Sequence, residues 1–125
     1  MDSKIKIPLS KIKKIAKKMF SNTVLYKKTG GVHCAAISDY SDLIHLKEDV
    51  GRHNAVDKVV GQSILSDLDF SNSIIFTSGR ISSDMVLKVA TSKFPIVVSR
   101  SIPSSLALEI AEKANITVIG RIMRL

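Results

Sequence analysis

The chain has 125 residues, 45% hydrophobic and 24% charged, which fits one globular domain with an ordinary core and excludes a disordered polymer. It has no apolar run near the roughly 18 residues a membrane span needs, no secretory-type apolar centre in MDSKIKIPLS, and one cysteine, Cys34, which excludes an internal disulfide and suits a reducing cytoplasm. The net charge of +8 is localised, because residues 1–28 hold nine lysines against Asp2 while residues 29–125 hold ten bases and ten acids.

Leu9, Ile12, Ile15, Ala16, Met19 and Phe20 fall at helical spacing with lysines opposite. Pro8 and Ser10 suit the start of this helix, and Asn22-Thr23 its stop. A solvated lysine face is the plain reading; contact with phosphates or a membrane surface is the alternative. After Thr29-Gly30-Gly31, residues 32–37 read as a buried strand, 38–42 as a hairpin loop and 43–46 as the returning strand. Glu48-Asp49-Val50-Gly51 leads into a helix with Val56, Val59, Val60 and Ile64 on its apolar face. A third strand over 73–76 is followed by Thr77-Ser78-Gly79-Arg80 and a helix carrying Met85, Val86, Val89 and Ala90. A fourth strand spans 95–98. Ser99-Arg100-Ser101 then precedes a helix with Pro103 near its first turn, and a fifth strand spans 116–119.

This order, α-β-β-α-β-α-β-α-β, predicts an α/β fold of three layers: a mixed five-stranded sheet, parallel in its later strands, with helices on both faces. The expectation is one structural domain, in which a basic segment over 1–28 precedes a mixed-sheet body over 29–125. The confined charge argues against a fold-wide nucleic-acid surface.

Ligands of such sheets bind beyond the carboxyl ends of the strands. Polar segments collect at these junctions: Gly30 and Gly31 with His33, Gly51-Arg52-His53-Asn54, Ser78-Gly79-Arg80, and Ser99-Arg100-Ser101. Backbone N–H groups at a helix start beside an arginine fork make an anion cradle. The plainer alternative is that glycine permits the turn and arginine pairs with Asp49, Asp57 or Asp84. Three arginine-bearing turns on one sheet edge favour a phosphorylated or nucleotide-like ligand. Asp57 and Lys58, one turn further along, are either a structural pair or supports of the pocket.

The same element order occurs in cytidine deaminases, whose zinc site needs a His or Cys two residues before a glutamate, and a Pro-Cys-x-x-Cys. Here Ala55 follows His53 at the glutamate's spacing and the cysteine pair is missing, so no zinc site and no deaminase chemistry are expected. His33 and Cys34 are strand neighbours on opposite faces, so Cys34 reads as a small buried hydrophobe. His45 reads as a surface residue of the hairpin, while His53 is open to capping, core or ligand roles.

The strings TGGVHCAA (29–36), EDVGRHNAVDKVVG (48–61), SGRISSDMVLKVA (78–90) and VSRSIPSSLALEIAE (98–112) closely resemble the FdhD family of formate dehydrogenase accessory sulfurtransferases. The likeness runs from about Thr29 to Ile119. It implies a cytidine-deaminase-like fold without zinc and a cytoplasmic protein that helps deliver sulfurated molybdenum cofactor to formate dehydrogenase. It further implies sulfur received from a cysteine desulfurase, guanine-nucleotide binding (GDP mimicking the bis-guanine-dinucleotide cofactor), and a homodimer. The pocket implied comprises Arg52, His53, Asn54, Gly79, Arg80, Ser99 and Arg100, with Gly30, Gly31 and His33 beneath it.

Two departures bear on activity. The family's sulfur-carrying Cys-x-x-Cys, upstream of the TGG segment, has no counterpart here, and Cys34 stands where the family usually has alanine. The family's arginine- and glycine-containing segment after the fifth strand is reduced to Gly120-Arg121-Ile122-Met123-Arg124-Leu125, with Arg121 and Arg124 as remnants. The expectation is a truncated or short member with no catalytic residue of its own. The rival is a non-catalytic module that docks on the dehydrogenase or desulfurase through the lysine helix. Single-stranded nucleic acid ranks last, for want of aromatic residues interleaved with basic ones.

Overall fold

A computed structural model describes residues 7–24 and 31–125; Gly30 lies outside them. Helix α1 (Leu9–Ser21) precedes the strands β1 (His33–Ser38) and β2 (Leu43–Asp49). Helix α2 (Arg52–Leu65), β3 (Ile74–Thr77), α3 (Ser83–Thr91), β4 (Ile96–Ser99), α4 (Ser105–Lys113) and β5 (Thr117–Ile119) follow, with short 3-10 turns at Phe70–Asn72 and Ile122–Arg124. The sheet order is β2-β1-β3-β4-β5. Strand β1 is antiparallel to both neighbours, whereas β3, β4 and β5 run parallel. This is the mixed sheet expected from the element order.

Period-two alternation sends side chains to opposite faces. Ala35, Ile37, Ile75 and Val97 meet α2, α3 and α4, while Cys34, Ala36, Ile74, Phe76, Ile96 and Val98 meet α1. The second face is sealed by Ile12, Ile15, Ala16 and Met19, whose spacing makes one stripe of α1. Three helices and one helix therefore enclose the sheet. Among the described residues no helix is long and apolar enough to cross a membrane.

Local chemistry sets the boundaries. Asp39 Oδ1 accepts the N–H groups of Ser41 and Asp42 and shapes the hairpin loop. Ser82 and Ser104 cap α3 and α4 by accepting from the N–H of Met85 and Ala107. Helices α2, α3 and α4 end in the same way, with Asp67, Lys93 and Asn115 at positive φ. The next residues, Leu68, Phe94 and Ile116, donate back to Ser63, Val89 and Ala111 and carry an apolar side chain inward.

Several expectations shift. Val32 lies outside β1, and β2 continues to Asp49 because His33 pairs with it across the ladder. Strands β3 and β4 end one residue later than expected, on buried Thr77 and Ser99. Helix α2 buries Ala55, Val56, Val59 and Ser63, leaving Ile64 65% exposed. Pro103 precedes the Ser104 cap instead of entering the first turn, and it bridges to Ile81.

Candidate functional site

The carboxyl ends of β3 and β4 and the start of β1 meet at one edge of the sheet. Ser78 ties them together: its Oγ accepts from the Cys34 N–H at 2.9 Å and lies 3.2 Å from His33 Nδ1, while its own N–H donates to the Cys34 carbonyl at 2.9 Å. Thr77 Oγ1 accepts from Gly79 N–H at 3.1 Å. Ser99 Oγ donates to the Gly79 carbonyl at 2.6 Å and accepts from Ser101 N–H at 2.9 Å. The two strand ends are thus locked to each other by buried hydroxyls.

Arg52 lies across this junction. A Cβ built on Gly79 would fall 2.7 Å from Arg52 Cδ and 2.8 Å from its Cβ, so glycine is what lets the arginine stem approach. Arg52 Nε is buried with no hydrogen-bond partner among the described residues, an unmet donor beside the start of α2. That start is capped by Gly51, which has no side chain to satisfy it.

The other predicted residues diverge. Asn54 is exposed, with Nδ2 3.5 Å from Asp49 Oδ1. Burial, then Lys88 and Arg52, pull the His53 pKa down, and its electrostatic neighbours include Asp84 of α3. Arg80 and Gly31 are exposed. Two of the three aspartates offered as arginine partners take lysines instead, Asp49 with Lys58 at 2.7 Å and Asp57 with Lys88 at 2.8 Å, which also separates Asp57 from Lys58. The Lys58 contact, reinforced by the Gly51 N–H, holds Asp49 down to about 2.

Arg100 turns toward the α1 face, where its guanidinium carbon sits 5.0 Å from the centre of the Phe20 ring. There it joins two arginines that sequence reasoning set aside. Arg100, Arg121 and Arg124, with Ser101, Ile102 and Met123, line a cleft of about 450 Å³. Gly120 lets the chain pass close beside it, since a Cβ there would fall 2.6 Å from Pro103 Cδ and 3.2 Å from the Ser101 carbonyl. Arg121, at φ 50, donates its N–H to that same carbonyl at 3.0 Å. The signal was present in the sequence: Gly120-Arg121 is a further glycine–arginine pair directly after a strand.

Cys34 is fully buried, and burial raises its thiol to about 11 although Ser78 opposes the shift. It is a protonated core residue at neutral pH, not a nucleophile. The starts of α2 and α3 offer Arg52-His53-Asn54-Ala55 and Ser82-Ser83, which do not fit a zinc ligand set. No three His, Cys, Asp or Glu among the described residues converge on a metal position.

Comparison with known proteins places this geometry. A protein of Nitrosomonas europaea identified as a guanine deaminase shares the fold at TM-score 0.65 and 14% identity, over 96% of this chain and 80% of its own. A crystal structure from Desulfotalea psychrophila, assigned as a formate dehydrogenase accessory protein, superimposes at TM-score 0.83 with 41% identity, over 91% of this chain and 51% of its own. The sulfur carrier protein FdhD of Bacillus subtilis is 42% identical over 94% of this chain and 45% of its own length. That of Thermoplasma acidophilum is 51% identical over 76% and 34%. The chain thus spans less than half the length of these two curated relatives. The FdhD/NarQ family model matches residues 1–124, further toward the N-terminus than the quoted strings reach, and the chain belongs to that family.

Proposed function

We propose that this chain acts as an FdhD-type accessory factor of formate dehydrogenase, holding the guanine-dinucleotide form of the molybdenum cofactor while it is sulfurated and delivered. The observation that carries this reading is the cleft of Arg100, Arg121 and Arg124. Each guanine dinucleotide of that cofactor contains a pyrophosphate. Permanently charged, forked donors in a cleft within the usual ligand-pocket range suit such a group. Phe20 steadies Arg100, and Gly120 lets the last strand fold back against Ser101.

Within this chain the sulfur itself has no carrier. Cys34 is the one cysteine, and a buried thiol held near 11 does not attack a persulfide. The reading therefore assigns binding to this chain and sulfur supply to a cysteine desulfurase acting through another polypeptide segment. Formate dehydrogenase as recipient, cytoplasmic action and pairing with a second copy belong to the same reading. Calorimetric titration with GDP, with ADP as the control, tests it. Saturable, guanine-selective binding is expected, and absence of binding to either nucleotide would overturn it.

A further inference from the structure

The outward face of α1 carries more charge than its surroundings compensate: Asp42 faces Lys18 and, more weakly, Lys11, and Lys13 donates to the Leu125 carbonyl. Lys18, Lys58 and Lys88 pair with Asp42, Asp49 and Asp57, whereas Lys11, Lys14 and Lys17 make no ion pair with a carboxylate among the described residues. With Pro8, Ser10 and Lys13 they line a shallow depression of about 500 Å³. Helical spacing sets Lys11 beside Lys14, Lys13 beside Lys17, and Lys14 beside both Lys17 and Lys18, and each such like-charged pair opposes the helix. The first turn holds no acid, and Pro8 gives no side-chain cap, so the positive end of the helix dipole adds to the lysines. A partner bringing negative charge relieves all of these repulsions together.

The chemistry of the face selects among polyanions. Ile12, Ile15, Ala16 and Met19 are committed to the core, so no apolar stripe remains to enter a lipid layer. No arginine on α1 offers a bidentate grip on phosphate, and its one aromatic ring, Phe20, lies under Arg100 instead of open to a base. Compact ammonium groups one helical turn apart match carboxylates projected at the same interval, and Asp42, held by Lys18, closes the patch at its far end. We propose that this lysine face docks the carboxylate-rich surface of a protein partner. The inference is independent of the nucleotide reading, since it uses no residue of the arginine cleft.

The test is fluorescence anisotropy of a labelled helical peptide presenting glutamates on one face, titrated with the full chain at low and at physiological salt. Binding is expected to weaken with salt and to fall at least about tenfold in Lys11→Glu/Lys14→Glu/Lys17→Glu. It is expected to be unchanged in Lys113→Ala, on α4 across the sheet. Lys14 and Lys17 are exposed and Lys11 is half-buried, so circular dichroism is expected to stay unaltered; should charge reversal unfold α1, the Lys→Gln triple variant gives the same readout. Binding that is absent, or indifferent to these lysines, would overturn the proposal. So would tighter binding to a single-stranded oligonucleotide or to phosphatidylserine vesicles.

Discussion

Two arginine-bearing regions lie on one edge of the sheet and behave differently. At the junction of β3 and β4, Arg52 is laid over Gly79, and Ser99 bonds both strand ends. The hydroxyls there are consumed by the fold. Some residues on, Arg100, Arg121 and Arg124 surround open space. The same local arrangement, a strand followed by glycine and arginine, thus serves closure in one place and exposure in the other. What separates them is whether another element lies on top: α2 covers the junction, whereas nothing among the described residues covers the cleft.

The contrast is sharpened by substitutions that strain one region and leave the other whole. Gly79→Val drives a branched side chain into the Arg52 stem and should cost about 3 kcal/mol by urea denaturation. A loss below about 0.5 kcal/mol would mean that Arg52 moves aside freely and the junction is not closed. Ser99→Ala strips a donor from the Gly79 carbonyl and an acceptor from Ser101 N–H, with an expected loss of about 2 kcal/mol. Gly120→Ala presses on the Pro103 ring and should cost about 1–2 kcal/mol, whereas exposed Arg124→Ala should stay within about 0.5 kcal/mol. An equal loss from Arg124→Ala would erase the distinction between the regions.

The smallest effect concerns Cys34. The unfolded thiol ionises near 9.0 and the folded one near 11, so its stabilising contribution is complete below pH 9 and fades as pH rises toward 11. The native chain should lose stability relative to Cys34→Ala over that interval and only there. The native thiol should also resist iodoacetamide at neutral pH and react once denatured; rapid native alkylation would contradict its burial.

The layered fold was legible because its signals are local and repeated: an apolar stripe at helical spacing in α1, short apolar runs for the strands, and glycine or serine at the helix starts. Departures arose where side chains serve the edge site. Thr77 and Ser99 are polar yet buried at strand ends, so hydropathy stops one residue early. In α2 the small residues Ala55 and Ser63 face the core while Ile64 does not, because close packing on the sheet selects size over hydrophobicity. Part of the site was legible as glycine–arginine turns. That Gly120 and Arg121 fold back onto Ser101 was not, since it depends on an αL residue and a long-range hydrogen bond.

The most direct test of the account measures GDP affinity side by side in the unaltered chain, Arg52→Ala and Arg121→Ala/Arg124→Ala. The account predicts saturable binding that falls at least about tenfold in the double variant, as loss of charge-assisted phosphate contacts requires, and much less in Arg52→Ala. Affinity that survives the double variant, or that collapses only in Arg52→Ala, would place the nucleotide at the closed junction and contradict the assignment of the cleft.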